Sequence, residues 1–510
     1  MKKYLLCLLA AASLWAAAPK KPKLVVAIVI DQFRYDYLTR FRSEYHAGLD
    51  RLLRQGAVFT NARFIHFPTV TAVGHSTFLS GATPAESGIV GNDWYDREEG
   101  KHVTSVSDGK TLLLGGNGGE GASPRRMLVD TVGDELKMAD GGKSRVIGIS
   151  LKDRAAILPA GHMANGAYWF DLKSGNFVSS TYYFSDLPGW VKDFNGARPA
   201  EKYRGRSWLD HKLPENLAEM YGNSTKSPLE ASPFGNELVE QFAERALAAE
   251  QLGRHEETDL LAVSFSSNDK VGHSYGMYSA EEHEVTVRTD QELEKLFQAI
   301  QRQVGLENAL IVLTGDHGVA PSAEEDAANH MPGGRMSANT VKNAVEAALA
   351  KKYGEGEWVS GSWDHAIYLN RDLMARKNLD PAEVDRAAAQ AAFAVAHILR
   401  VYTREELMTG AATGDPMSRA LTISFNMRRS PDVSYLPEPF WIVTSDATTH
   451  GTTFGYDTHV PVIFLGPGIR AGRYYGSIAV NDIAPTLAAI LEVEPPSGSV
   501  GRVLTEMWVP

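Results

Sequence analysis

The 510-residue sequence contains a single cysteine, Cys7, close to its N-terminus. Beyond that position there is no thiol, which excludes disulfides, cysteine metal ligands and a cysteine nucleophile. The sequence also lacks an excess of basic residues, since its formal net charge is −11. Nothing in this charge indicates a nucleic acid duplex or an anionic membrane as a partner. The composition leaves the oligomeric state open.

Residues 1–18 are typical of a secretory signal peptide, with Lys2 and Lys3 followed by an apolar stretch and then by small residues. The apolar stretch is too short to span a membrane permanently, so we expect no stable membrane anchor. Pro19 makes cleavage directly before it unfavourable, and the cleavage site stays open. An exported chain without cysteine in its mature part indicates a bacterial periplasmic protein.

Short apolar runs rich in β-branched residues indicate buried strands. They are Val25–Ile30, Val146–Ile149, Leu260–Phe265, Ala309–Leu313 and Val460–Leu465. Near-continuous apolar strands are typical of a parallel sheet that is covered on both faces. Helical patterns fall between them, so we predict an α/β fold with a doubly wound, mostly parallel sheet and helices on both faces.

Two stretches interrupt this alternation and predict inserted cap regions. Residues 161–254 are rich in aromatic side chains, and residues 321–439 carry further helical patterns, including Thr340–Tyr353 and one around Pro381–Leu399. The aromatic residues are interpreted as the core of the first insertion. The predicted catalytic core then consists of residues 19–160, 255–320 and 440–510.

Polar residues follow the predicted strands where each one ends. They are Asp31, Lys152 with Arg154, Asp269 with His273, and Asp316 with His317, while His450 comes later. In doubly wound sheets, ligands bind beyond the carboxyl ends of the strands. Without cysteine, recurring Asp and His form a ligand set for zinc or a similar divalent ion. Singly, each residue could be an ordinary turn or cap residue.

The stretch "FPTVTAVGHSTFLSG" places Thr69 and Thr71 just ahead of a predicted helix. Taken alone, it favours a cap, in which a threonine hydroxyl accepts hydrogen bonds from the first turn. The alternative is a nucleophile at the positive end of the helix. Two metal ions about 4 Å apart would activate such a hydroxyl, because coordination to one of them promotes its deprotonation.

Several segments resemble, in order, the alkaline phosphatase superfamily, and within it the phosphate-irrepressible alkaline phosphatases with a threonine nucleophile. They are "VVAIVIDQFRYDYL", "TVTAVGHSTFLSG", "GIVGNDWYD", "SLKDRAAI", "NDKVGH", "TGDHG" and "THGTTFGYDTHVPVIFLG". The resemblance implies that Thr71 is the nucleophile and that Thr69 is structural. It also implies that Asn92, Lys152 and Arg154 bind the phosphoryl oxygens.

The same resemblance implies two metal sites. One would be formed by Asp269, His273 and His450, and the other by Asp31, Asp316, His317 and the Thr71 oxygen. His459 competes with His450 as the last ligand, and we choose His450 because the "HG" followed by "YD" is the ligand pattern.

The function expected from this resemblance is a periplasmic phosphate monoester hydrolase with two divalent ions, expected to be Zn²⁺, and a phospho-threonine intermediate. Its substrates would be small phosphate monoesters. A phosphodiesterase or nucleotide pyrophosphatase of the same superfamily is the main alternative. A periplasmic metal- or phosphate-binding protein without turnover is a second one, but it leaves Thr71 without a role.

Overall fold

The computed structural model describes residues 21–223, 226–411 and 414–509. The predicted signal peptide at 1–18 lies outside these residues. Among the described residues, no helix has the length and apolar character needed to cross a membrane.

An 11-stranded sheet forms the centre of the structure. Four of its neighbouring strands are parallel and match four of the predicted apolar runs. In order across the sheet, they are Ala309–Gly315, Leu24–Ile30, Asp259–Phe265 and Val146–Ser150. Every residue of these strands is buried, because helices cover both faces.

Alternate residues of Leu24–Ile30 pack into two different hydrophobic clusters, one on each face of the sheet. The first face is covered by the helices Gly48–Gln55, Pro233–Ala249 and Ala280–Gln303. The second is covered by Thr71–Ser80, Val132–Asp140 and Ile483–Leu491. The predicted doubly wound, mostly parallel sheet is thereby confirmed.

The remaining elements surround these layers. The sheet continues on one side with His459–Leu465, Ala57–Arg63 and Gly472–Ala479, and on the other with Gly166–Asp171, Asn176–Ser180, Ser107–Leu114 and Glu120–Ala122. Small two-stranded sheets pair Asp93–Asp96 with Lys101–Thr104, Ser207–Trp208 with His211–Lys212, and Gly334–Met336 with Trp441–Val443. Further helices are Tyr37–Arg40, Pro84–Ser87, Asp153–Ala160, Gly189–Gly196, Leu217–Tyr221, Ser267–Tyr275, Ala323–Ala328, Arg371–Arg376, Arg404–Thr409, Pro416–Thr422 and Gly455–Thr458.

The fifth predicted run forms the strand His459–Leu465, but this strand is antiparallel to its neighbours Ala309–Gly315 and Ala57–Arg63. An apolar run shows that a strand is buried but does not show its direction. Because this strand is reversed, its first residue lies at the carboxyl edge of the parallel strands. The loop that contains His450 therefore reaches the same edge as Asp31 and Asp316.

Residues 161–254 form more than the predicted cap, because part of this region belongs to the central sheet and its covering helices. Gly166–Asp171 pairs with Val146–Ser150 in the central sheet, and Pro233–Ala249 packs against one of its faces. The aromatic side chains fill the main hydrophobic cluster, where the rings of Phe177 and Phe242 stack with centroids 3.9 Å apart. Their large apolar surface is buried on the sheet itself, so the aromatic content reflects core packing.

Residues 321–439, here called the 321–439 segment, carry a four-stranded sheet of their own. Its strands, in order, are Val359–Trp363, Ala366–Leu369, Val433–Pro437 and Ile398–Thr403. The helices Thr340–Tyr353 and Pro381–Phe393 pack on it around a separate hydrophobic cluster. The second helix is shorter than expected, because the β-branched residues near Leu399 belong to a strand. The boundaries of this region stay a prediction.

Candidate metal centre and nucleophile

The four parallel strands deliver their polar residues to one edge of the sheet. Asp31 directly follows Leu24–Ile30, and Asp316 follows the neighbouring strand. Asp269 lies on the short helix Ser267–Tyr275 after the third strand, and Lys152 directly precedes the helix Asp153–Ala160 after the fourth. Because the strands are parallel and adjacent, these side chains converge beyond their carboxyl ends.

One cluster that could hold a metal ion contains Asp269, His273 and His450. Asp269 Oδ1 lies 3.2 Å from His273 Nε2 and 3.6 Å from His450 Nε2. Asp269 and His273 are four residues apart on one helix and therefore share a face. Two histidines and a carboxylate are a common zinc ligand set.

A second cluster surrounds His317. Its Nε2 lies 3.6 Å from Asp31 Oδ1 and 3.3 Å from Asp316 Oδ2. Asp269 also lies within ligand distance of Asp31 and His317, so it stands between the two clusters. The structure thus brings together all six Asp and His residues of the two expected metal sites.

Backbone carbonyls fix the orientation of each imidazole. The Nδ1 atom of His273 lies 2.9 Å from the Thr448 carbonyl oxygen. The Nδ1 atom of His450 lies 2.8 Å from the Thr69 carbonyl oxygen, and that of His317 lies 2.9 Å from the Gly318 carbonyl oxygen. A carbonyl can only accept, so each Nδ1 donates and carries the proton. In the neutral imidazole the lone pair is then on Nε2, the atom that faces the carboxylates, as a metal ligand requires.

The clusters concentrate negative charge in a buried place. Burial and the neighbouring Asp316 raise the pKa of Asp31 to about 6. Burial also disfavours ionisation of Asp269, but the positive charge of Lys152 and the neighbouring His273 outweigh it and hold the pKa of Asp269 well below its usual range. Burial and the neighbouring His450 lower the pKa of His317, which keeps this imidazole neutral.

The donor set fits divalent cations. Asp31 is fully buried, and its Oδ1 has no hydrogen-bond partner among the described residues. A buried carboxylate oxygen without a partner is costly unless a cation binds it. Three buried carboxylates and three imidazoles with Nε2 facing inward provide such ligands for ions of the zinc type.

Thr71 is the first residue of the helix Thr71–Ser80, and neither threonine of the motif caps it. Thr69 Oγ1 donates to the Thr452 carbonyl at 2.7 Å, whereas Thr71 Oγ1 lies 3.5 Å from His317 Nε2. The cap interpretation is therefore wrong for both residues. The sequence favoured it because caps and nucleophiles occupy similar positions at the start of a helix.

The Gly-His pair that follows Thr71 holds the helix against the second cluster. A Cβ atom on Gly74 would lie 2.0 Å from the Asp316 carbonyl oxygen, so only glycine allows this approach. The His75 Nδ1 atom lies 2.9 Å from the Thr71 carbonyl and 3.2 Å from Asp316 Oδ2. His75 thus links the backbone of Thr71 to a candidate metal ligand.

A cavity of about 720 Å³ opens onto these groups, and Thr71, Asn92 and Arg154 line it together with Asp269, His273 and His450. Asn92 Oδ1 accepts a hydrogen bond from the Ala72 backbone N–H at 2.8 Å. Its amide NH₂ therefore remains for a ligand. Arg154 Nε has no hydrogen-bond partner among the described residues.

Lys152, which the resemblance assigns to the phosphoryl oxygens, is paired with two carboxylates in the structure. It is only 7% exposed, and its Nζ lies 2.6 Å from both Asp31 Oδ2 and Asp269 Oδ2. Burial lowers the pKa of Lys152, but the two carboxylates outweigh this effect and raise it overall. A lysine placed directly after a strand looks exposed in the sequence, because the neighbouring strands that bury it are distant in the chain.

His459 lies away from both clusters. Its Nε2 is 2.9 Å from the Thr60 carbonyl, and its ring stacks on Tyr35 with centroids 4.6 Å apart. The His450 ring, by contrast, stacks on His317 with centroids 3.5 Å apart. The geometry therefore favours His450 over His459 as the candidate ligand.

Two residues around the site were not predicted from the sequence. Gln32 has a left-handed φ of +62°, and its backbone N–H and its side-chain Nε2 donate to Asp316 Oδ1 at 3.0 Å and to Asp269 Oδ1 at 2.8 Å. Asp364, from the 321–439 segment, accepts a hydrogen bond from the Asn92 backbone N–H at 3.1 Å. Only the Asp-Gln pair at a strand end could have indicated Gln32, and nothing local indicates Asp364.

Comparison with known proteins agrees with this geometry. A family model described as type I phosphodiesterase / nucleotide pyrophosphatase matches residues 25–459. Alkaline phosphatase PhoV of Synechococcus elongatus is 36% identical, covering 96% of this chain and 93% of that protein. Alkaline phosphatase PafA of Elizabethkingia meningoseptica is 34% identical over 99% of both chains. The crystal structure of wild-type PafA superposes with a TM-score of 0.89 at 32% identity, covering 96% of this chain and 99% of that one.

The fold and the clustered Asp and His residues define a metal-dependent phosphoester hydrolase of the alkaline phosphatase superfamily. Within that class, the chain belongs to the type I phosphodiesterase / nucleotide pyrophosphatase family, and it is an enzyme of the alkaline phosphatase type.

Proposed function

We propose that this protein is a periplasmic hydrolase of small phosphate monoesters, with two divalent ions, Zn²⁺ being the expected metal, and a phospho-threonine intermediate on Thr71. The observation that carries the proposal is the position of Thr71. Its hydroxyl lies at the positive end of a helix, 3.5 Å from His317 Nε2, and it lines the same cavity as Asn92 and Arg154. The names of the relatives PhoV and PafA support the reaction class.

The two clusters would hold the ions, one at Asp269, His273 and His450, and the other at Asp31, Asp316 and His317. When bound, the ions would lower the pKa of the attacking hydroxyl and would stabilise the negative charge on the leaving oxygen. The hydrogen bonds from Nδ1 of the three histidines fix the ligand nitrogens in advance, so little reorganisation is needed on binding.

Thr71 performs the attack. Its Oγ1 forms a bond to phosphorus while the ester P–O bond breaks and the alcohol leaves, and water then cleaves the Thr71 phosphoester to release phosphate. The β-branched side chain has a stiff χ1, which keeps Oγ1 directed toward the cavity. The N-terminal end of the helix also favours the negative charge that develops there.

Asn92 and Arg154 bind the phosphoryl oxygens. A monoester presents three non-bridging oxygens, and charge-assisted hydrogen bonds are the strongest partners for them. The NH₂ group of Asn92 and the Nε of Arg154, which has no hydrogen-bond partner in the described part of the chain, provide such donors. A diester has one oxygen blocked by its second substituent, so these donors favour the monoester.

The phosphodiesterase alternative shares Thr71 and both clusters, and substrate preference distinguishes it. We expect kcat/KM for an aryl phosphate monoester to exceed that for the matched aryl methyl diester, measured on one preparation with known metal content. A higher kcat/KM for the diester would contradict the proposal and favour the phosphodiesterase. Absence of turnover with either ester, in a metal-loaded sample, would favour a binding protein.

A further inference from the structure

A tight turn of the 321–439 segment contacts the backbone beside Asn92 and His450. The strands Val359–Trp363 and Ala366–Leu369 are joined by only two residues, Asp364 and His365. Both have left-handed φ angles, +46° and +65°. Two-residue hairpin loops require this conformation and are usually built from Asn-Gly or similar pairs. The pair of Asp364 and His365 is therefore more strained in its backbone than a pair with glycine would be. Such strain is typical of residues whose side chains have a function.

The Asp364 side chain contacts the segment that carries Asn92. Its Oδ2 accepts the Asn92 backbone N–H at 3.1 Å, and a Cβ on Gly91 would lie only 3.0 Å from the same oxygen. Asn92 Oδ1 in turn accepts the Ala72 N–H, directly beside Thr71. A continuous series of hydrogen bonds thus runs from the turn through Asn92 to the residue next to the nucleophile.

His365 packs on the other side of the site. It is buried, and a Cβ on Gly451 would lie 3.2 Å from its Cε1 atom. Gly451 follows the candidate ligand His450 and has a left-handed φ of +121°. One turn therefore touches the backbone beside a candidate phosphate-binding residue and the backbone beside a candidate metal ligand.

We propose that Asp364 is a positioning residue, which holds the Asn92 backbone so that the Asn92 amide faces the phosphoryl group. Without this acceptor, the Asn92 N–H loses its partner, and the short loop before Asp93–Asp96 is held less firmly at the cavity. The inference rests on the proposed function, because it assigns Asn92 to the phosphoryl oxygens. It makes the 321–439 segment part of the catalytic apparatus.

A double-mutant cycle tests this positioning role. We expect Asp364→Ala to lower kcat/KM by about tenfold, as for a lost hydrogen bond to a charged acceptor. Asp364→Asn should keep most of the activity, because its amide oxygen can still accept from Asn92 N–H. In an Asn92→Ala background, Asp364→Ala should change kcat/KM by less than about twofold, since the group that it positions is absent.

Asp385→Ala is the matched control for the stability of the 321–439 segment. Asp385 is a buried carboxylate of the same segment, bound to Arg371 Nη2 at 2.8 Å, and it does not contact Asn92. The melting temperature and metal content of each variant should be measured beside its kinetics. We expect Asp385→Ala to lower the melting temperature without the tenfold loss in kcat/KM.

The cycle uses the ester, monoester or diester, that the wild-type protein hydrolyses faster. Its outcome therefore does not depend on whether the monoester preference under the proposed function is correct. Additive effects of Asp364→Ala and Asn92→Ala would overturn the positioning role. An equal loss of kcat/KM in Asp385→Ala would overturn it too, since the turn would then act only through the stability of the segment.

Discussion

The edge of the central sheet and the 321–439 segment contribute to the same site in different ways. At the sheet edge, Asp31, Asp269 and Asp316 come after buried parallel strands, so the fold itself brings the carboxylates together. The 321–439 segment contributes the turn of Asp364 and His365, which contacts the backbone beside Asn92 and His450. The residues proposed to react and the residue proposed to position Asn92 thus come from regions that have separate hydrophobic clusters.

This comparison predicts a gradient of effects, and the largest effect is expected for the proposed nucleophile, Thr71. Thr71→Ala should lower kcat by about a thousandfold or more, equivalent to roughly 4 kcal/mol at 1.36 kcal/mol per tenfold change. Thr71→Ser should keep substantial activity, because the hydroxyl is retained. Single-turnover kinetics with an acid quench should detect phosphate on Thr71 in the wild type.

The control for that experiment is Thr69→Ala. Thr69 Oγ1 bonds the Thr452 carbonyl and does not line the cavity, so this change should cost far less. An inactive Thr69→Ala protein beside an active Thr71→Ala protein would show that the nucleophile is misassigned.

The next largest effect is expected for the candidate metal ligand His450. His450→Ala should remove one ligand of the first cluster and lower its metal occupancy, together with a loss in activity of about a hundredfold. His459→Ala should leave the metal content unchanged, because its Nε2 faces the Thr60 carbonyl. Metal analysis of the two purified variants makes the comparison, and the reverse pattern would assign the ligand role to His459.

A smaller effect is expected for Arg154. Arg154→Ala should lower monoester kcat/KM by about tenfold to a hundredfold, the range for a lost charge-assisted hydrogen bond. Diester hydrolysis should fall less, because Thr71 and the metal ligands remain. Equal losses on both esters would show that Arg154 does not select monoesters.

Lys152→Ala provides a contrast with Arg154. Its ammonium group lies between Asp31 and Asp269, so removing it changes the charge at both clusters. We therefore expect Lys152→Ala to alter metal affinity and both ester reactions, whereas Arg154→Ala leaves the metal content intact. Titration of metal content against free zinc concentration would separate the two variants.

Sequence reasoning was most successful where the chemistry follows a local pattern. Buried strands are readable from apolar runs, and Asp31, Asp269 and Asp316 could be placed at their ends for that reason. The reversed strand His459–Leu465 was not predictable, because strand direction depends on pairing with distant segments. The part of residues 161–254 that joins the central sheet was missed in the same way, since aromatic content does not tell which layer a residue fills.

The contacts of Lys152, Gln32 and Asp364 also depend on distant segments. Asp364 and Asn92 are 272 positions apart, and Lys152 and Asp31 are 121 positions apart. No spacing or periodicity in the chain connects such pairs. The resemblance to known phosphatases supplied the choice of Thr71 over Thr69, which the local stretch alone would have assigned to a cap.

The central claim is that the buried carboxylates and imidazoles at the sheet edge form a two-metal phosphoryl-transfer site. Its most direct test measures metal content and monoester hydrolysis on the same sample, before and after exhaustive chelation and after zinc is restored. We predict two divalent ions per chain, loss of activity on chelation, and recovery in proportion to the zinc that is bound. Full activity in a sample verified to be free of metal would contradict the account.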